Sequence, residues 1–469
     1  MLALVWVQAA SALPIQDADE WSGTYLQGQK IGYNNAQVKV KQSGVDVHTE
    51  MVLNLKTGDI DQSTRFTQET ELTPDLKLKR FVLLQELMGK QQEVVGRVKG
   101  GKLVLEITGR GFHGEETLDF PDGAVPSATV WLNIMKEGFT VGKQGQFTLL
   151  VEPMKILVPM SYKILRKETT EWAGKKVEAF VVEQKFAGMT TTVWASPEGE
   201  MLRELSMQGF ESIKEPKAVA KNLDGKALSV SSFVSMSLVE LKQPIKESDS
   251  KDRMKLKLLN VHSPESIPQD HRQKVLRTEK KGEESFETTL LIQREPRKPG
   301  RQVTRPVPAK GFDLYLKETP EIQVRHALIR TLAKDLVGDQ TDAWQAAKLI
   351  STWVYDNLEK ELVDSLTALD ALHDRRGECQ SHTNLFTALA RAAGIPTRVV
   401  NGLVYSDEFQ GFLYHAWPEV WVGEWRALDP TLGQHHVDAT HIKLSEGNNA
   451  GALKLMEFIG QVQIELIEQ

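Results

Sequence analysis

Gly377-Glu378-Cys379-Gln380-Ser381-His382, followed by Asn384-Leu385-Phe386-Thr387-Ala388-Leu389-Ala390-Arg391-Ala392-Ala393-Gly394, decides how the last third of this 469-residue chain is read. Leu385, Phe386 and Leu389 recur at helical spacing, and Gly394 with Pro396 supplies a C-terminal stop. Cys379, the only cysteine in the chain, therefore falls in the first turn of a helix, at the positive end of its dipole. A thiol attacks a carbonyl as thiolate, so a reactive cysteine needs a pKa below the usual value of about 8.5. The helix start and a cationic neighbour are the two devices expected to lower it here.

Two further blocks follow downstream. His415-Ala416-Trp417-Pro418-Glu419-Val420-Trp421-Val422 carries bulky residues that favour a strand, and Trp425-Arg426-Ala427-Leu428-Asp429-Pro430 follows a turn at Gly423-Glu424. Paired as a hairpin, these runs bring His415 and Asp429 together. One imidazole nitrogen can then face the thiol while the carboxylate holds the other, which is the logic of a nucleophile, a base and an orienting acid. The bland readings are a buried structural thiol, a core histidine among tryptophans, and an aspartate that serves only the turn before Pro430.

These residues resemble the transglutaminase-like superfamily of papain-type cysteine enzymes. The resemblance rests on Gly377-Glu378-Cys379, Ala388 to Val400, His415 to Val420 and Leu428-Asp429-Pro430-Thr431, in that order, and covers residues 340–460. It implies Cys379 as nucleophile, His415 as general base and acid, and Asp429 as its orienting partner. It also implies a thioester formed from an amide of a peptide or protein substrate, resolved by water or by an amine. Pro418 departs from an ordinary strand and suggests an edge or bulge. Trp353 and Tyr355 are candidates for an upstream oxyanion donor, and Trp417, Trp421 and Trp425 for the walls of an acyl tunnel.

A zinc site built from Cys379, His382, His435, His436 and His441 is the competing use of the same residues. Structural zinc sites commonly draw on more than one cysteine, and a single thiol is available, so no metal is assigned; His435 and His436 are read as loop residues near the site rim. No loop carries the alternating carboxylates of a calcium site, and no cofactor is implied.

Hydrophobic content of 41%, charged content of 26% and a formal net charge of -6 are ordinary for globular domains and give no case for a nucleic-acid partner. No stretch approaches the roughly 20 apolar residues of a membrane span. The chain exceeds the limit of about 250 to 300 residues for one core, and nothing in it fixes an oligomeric state. Residues 1–20 read as a leader, with an apolar run and Ala-x-Ala ending at Ala12 but no basic start; export to a bacterial periplasm or cell envelope is the expectation, a cytoplasmic protein the alternative. Residues 21–225 read as an antiparallel meander, with turns at Gly28 to Gly32, Lys99 to Lys102, Ala173 to Lys176 and Pro197 to Glu200. Val130 to Met135 reads as either helix or strand. Residues 226–310 form a second β segment and a basic, proline-containing linker from Arg294 to Lys310, expected to be solvated. Residues 311–469 form the transglutaminase-like domain, with helical patterns over Glu321 to Leu336 and Ala346 to Leu358. The fold expected is α+β, a papain-like transglutaminase core preceded by one or two antiparallel β-rich domains.

Overall fold

The computed structural model describes residues 14–468 apart from 58–59, 88, 110, 208, 224–227, 230–237, 283–284, 362–366 and 448. The apolar run at the start of the leader, with Ala12, lies outside the described residues. Two compact units emerge, one of residues 1–108 and 115–228, the other of residues 109–114 and 229–469.

The first unit is one large sheet whose strands follow each other as a meander from Phe112–Asp119 back to Ala18–Leu26, then from Phe210–Lys214 back to Gln144–Val151. One pair breaks the antiparallel pattern, since Ala124–Pro126 runs parallel to Thr148–Leu150. The tight turns fall where both central residues can take positive φ, as at Gly100 and Gly101 (φ 55° and 75°). The ambiguous Val130 segment is a helix, Val130–Glu137, with Val130, Leu132 and Ile134 buried. Its Val130 and Ile134 join Leu149, Tyr162, Ile164 and Val182 in one apolar cluster.

The second unit layers helices, a five-stranded sheet and a four-stranded sheet. In the five-stranded sheet Gly411–Trp421 pairs along its length with Thr397–Ser406, which in turn pairs with Ile442–Glu446. Helices Ala327–Val337, Ala343–Asn357 and Cys379–Ala392 bury Ile329, Ala333, Ile350, Val354, Leu385 and Leu389 against Val399 and Val420 of that sheet. Leu403, Phe412 and Ile442 pack in a second core with Met254, Leu256, Leu290 and Ile292 of the four-stranded sheet. That smaller sheet is closed by the last strand of the chain, Gln463–Glu468, beside Arg253–Val261. The residues read as a separate β segment thus belong to the same compact unit as the transglutaminase-like region.

The linker expectation is corrected. Arg426 donates to Glu295 Oε1 at 2.7 Å, to Pro296 O at 3.0 Å and to Lys298 O at 2.9 Å. Arg305 donates to the carbonyls of Gln340, Gly338 and Ala393. A guanidinium satisfies several exposed carbonyls at once, so a basic segment that looks solvated by composition is strapped onto the domain. Glu295 at its start is 1% exposed.

Candidate active site

The Cys379 helix begins where the sequence placed it. Glu378 is its N-cap, accepting the Gln380 backbone N–H at 2.8 Å, and Gly394 takes φ 77° just past the end. Thr383 on this helix donates to Ala416 O of the neighbouring strand at 3.0 Å, which fixes the helix start against His415-Ala416.

His415 is buried on Gly411–Trp421. Trp425–Ala427 pairs with the end of that strand, Glu419 opposite Ala427, so Asp429 lies two residues further on, level with the histidine side. Asp429 Oδ2 meets His415 Nε2 at 2.6 Å. The other oxygen, Oδ1, accepts the backbone N–H groups of Thr431 at 2.7 Å and Leu432 at 3.0 Å. The contact with His415 and the turn hydrogen bonds are therefore made by different oxygens. Asp429 is 0% exposed; burial alone would raise its carboxyl, but His415 and His441 hold it well below the usual carboxylate range.

Cys379 and His415 line one open cavity of about 1710 Å³, with Glu378, Tyr405, Tyr414, Leu432 and His435 among its other walls. Asp429 stands behind His415, away from the opening. His435 and His436 both line the cavity.

The charge state of Cys379 differs from the sequence expectation. An anion stands beside it: Sγ donates to Glu378 Oε2 at 3.1 Å. Burial first, then the Glu378 carboxylate, push the thiol well above its ordinary value, opposed by the Ala416 backbone N–H. This direction is opposite to the lowering expected from the helix start and a cationic neighbour.

Other expectations separate in the same way. Trp421 and Trp425 pack with Phe312 and Tyr315, with Arg398 over the Trp425 ring at 4.4 Å; neither lines the cavity. Trp353 lies under Arg375 and Tyr355 under Lys360, and neither is a cavity wall. Pro418 keeps the register with Val399 unbroken. On its other side the paired strands reach residues 411–412 and 419–421, and the Pro418 carbonyl accepts from Leu428 N at 3.2 Å, so the missing N–H falls just past the end of a ladder rather than at a bulge.

The residues weighed for zinc do not converge. His435 Nε2 pairs with Thr352 Oγ1 at 3.0 Å, His436 lies beside the Trp344 ring, and His382 Nδ1 faces Glu378 O at 3.0 Å. Sequence reading missed His441 as a partner of Asp429: its Nε2 lies 3.1 Å from Asp429 Oδ2 and its Nδ1 3.3 Å from Asp438 Oδ1. His415, Asp429 and His441 offer nitrogen and oxygen atoms within 4.8 Å of one another. Tetrahedral zinc with ligands at about 2.1 Å keeps them more than about 3 Å apart, so the 2.6 Å contact is a hydrogen bond.

Residues 330–430 match the family model of the transglutaminase-like superfamily. The chain carries a transglutaminase-like domain near its C-terminus. Kyphoscoliosis peptidase of Homo sapiens is 22% identical over 214 residues, 40% of this chain and 31% of that protein. An uncharacterized protein of Mycobacterium leprae is 37% identical over 87 residues, 17% of this chain and 30% of that protein. The chain spans about a quarter to a third of the length of the curated relatives it matches. Among solved structures, a candidate cysteine protease from Cytophaga hutchinsonii shows 16% identity and a TM-score of 0.33, covering 47% of this chain and 87% of that chain. Among the described residues no helix is long and apolar enough to cross a membrane.

Proposed function

We propose that the transglutaminase-like domain is a cysteine-dependent acyl-transfer enzyme acting on amide bonds of peptides or proteins, with a papain-like arrangement of Cys379, His415 and Asp429. The observation that carries this reading is the buried His415–Asp429 hydrogen bond of 2.6 Å, with a half-buried thiol lining the same cavity as His415. His415 takes the Cys379 proton as the sulfur attacks the amide carbonyl. Backbone N–H groups at the helix start receive the negative charge on the carbonyl oxygen, a contribution of about 3 to 4 kcal/mol per donor. His415 then returns the proton to the nitrogen as the C–N bond breaks, leaving a thioester on Cys379 and a free amine. Water resolves the thioester to an acid, another amine to a new amide. Asp429 keeps the imidazole oriented through both proton transfers. A cell-envelope location, with an envelope peptide or protein as substrate, goes with this reading.

The second reading is a catalytically silent binding module, and the upward push on the Cys379 thiol by burial and Glu378 favours it. Iodoacetamide separates the two, since every modified thiol must be Cys379. The enzyme reading expects alkylation near neutral pH that is lost in His415→Ala. Alkylation confined to pH values above about 8.5, with or without His415, supports the binding module instead.

A further inference from the structure

Asp429 Oδ2 is shared. His415 approaches it at 2.6 Å and His441 at 3.1 Å, and the two rings stand nearly perpendicular, at 71° with centroids 6.1 Å apart. His441 is itself fully enclosed, 0% exposed, with Asp438 Oδ1 at its other nitrogen. Asp438 is held in turn: Oδ1 accepts from Thr440 N at 2.8 Å and Thr440 Oγ1 at 2.6 Å, and Oδ2 from the Gln434 amide at 2.7 Å. The indole of Trp417 closes the cluster, 5.4 Å from the His441 ring and at 89° to it.

We propose that His441, held by Asp438, is a positioning residue for the reaction proposed above: it shares the Asp429 carboxylate with His415 and carries a positive charge that offsets it. The inference rests on the proposed roles of Cys379 and His415. An imidazole with a carboxylate at each nitrogen donates at both only as imidazolium. Burial alone would lower the His441 pKa, but the hydrogen bonds and charges of Asp429 and Asp438 raise it above the usual value. The ionisable groups around the cluster are Asp429 and Asp438 in its own loop segment, His415 on the adjacent strand, Cys379, Glu378 and His382 in the first turn of the helix, and Arg272, which reaches the Asp438 carbonyl at 2.8 Å.

The consequence concerns proton transfer. Asp429 unshared would disfavour negative charge on Cys379, since its charge already pushes the thiol up. An imidazolium at His441 offsets that charge and so eases the departure of the thiol proton toward His415.

The test is the pH profile of iodoacetamide alkylation of the full chain, measured for the unaltered protein and for His415→Ala, Asp438→Asn and His441→Gln, with thermal midpoints alongside. Asn and Gln keep hydrogen-bonding groups and remove charge, so a purely structural strut would leave the profile in place. The expected result is a rising limb moved to higher pH by about one unit in both charge-removing variants, a roughly tenfold loss of rate on that limb, with thermal midpoints near that of the unaltered protein. Should His441→Gln not fold, Asp438→Asn carries the test, because it leaves the imidazole in place. A His415-dependent profile that both variants leave unmoved overturns this inference alone. A profile indifferent to His415→Ala removes the proposed function and this inference together.

Discussion

Two buried charge clusters lie in the same domain, and they are built from similar materials. One is Asp429, His415, His441 and Asp438. The other is Lys443, 1% exposed, whose ammonium pairs with Asp270 and Glu419 at 2.6 Å each and with Glu446 at 3.3 Å, while Arg398 donates to Glu419 and Glu446. Lys443 lies on the five-stranded sheet and Asp270 next to the four-stranded one, and Gln273 exchanges hydrogen bonds with the Lys443 backbone at 2.9 and 2.7 Å. The second cluster holds two sheets together and reaches solvent through Glu446, and none of its members lines the cavity. The first opens to the cavity through one member, His415. Burial and perturbed ionisation are common to both, so what sets the first apart is one member, His415, that meets a buried carboxylate and also lines the cavity shared with Cys379.

The largest expected effect falls on the open cluster. His415→Ala should lower turnover by about 10²- to 10⁴-fold, or about 3 to 5.5 kcal/mol of barrier, with little change in thermal midpoint; steady-state kinetics and a melting curve check both halves. Lys443→Met should do the reverse. It strands Glu419 and Asp270 beside an apolar side chain, at about 3 to 5 kcal/mol of stability by denaturant unfolding, and whatever protein remains folded should keep its alkylation profile. A large shift of that profile would erase the distinction drawn between the clusters.

Acid titration sharpens the same contrast. Burial alone would raise Asp270, but Lys443, the Gln273 backbone N–H and Arg272 bring it down to about 2. A carboxylate depressed in the folded state contributes stability that is complete above its unfolded value of about 3.9 and is lost as pH falls toward about 2. The unaltered protein should therefore lose stability between about pH 4 and 2, and Asp270→Asn should flatten that slope.

Smaller effects test the surroundings. Glu378→Gln keeps an acceptor for the Gln380 N–H but removes the anion that pushes the thiol up, so alkylation near neutral pH should rise. Asp342→Ala removes the side chain that caps the Ala343–Asn357 helix at Trp344 N and Gln345 N, at about 1 kcal/mol, and should leave Cys379 reactivity alone.

Much of this was legible in the sequence for a local reason. The Cys379 helix announces itself through its apolar spacing and its Gly394 stop, and the His415–Asp429 contact follows from a short hairpin whose turn is visible. The partner of the thiol was not legible, because Glu378 also caps the helix, and only its side-chain position shows that the same oxygen meets Sγ. His441 was hidden because its contact with Asp429 depends on how residues 429–441 fold back, which no periodicity records. The Arg294 to Lys310 segment misled for a related reason: composition shows charge, whereas the carbonyls that Arg305 finds and the carboxylate by which Glu295 holds Arg426 are set by the tertiary fold. Val130 to Glu137 had a short apolar run compatible with either period, and packing in the first unit made it a helix.

The central claim is that Cys379 forms an acyl intermediate with help from His415. Intact-mass analysis of the protein quenched in acid after mixing with an activated ester tests it most directly, because one cysteine makes the adduct site unambiguous. The account predicts an acyl adduct on Cys379 that forms and decays in the unaltered protein and is lost in His415→Ala. A Cys379 that iodoacetamide modifies readily but that never carries an acyl group, with or without His415, would contradict it.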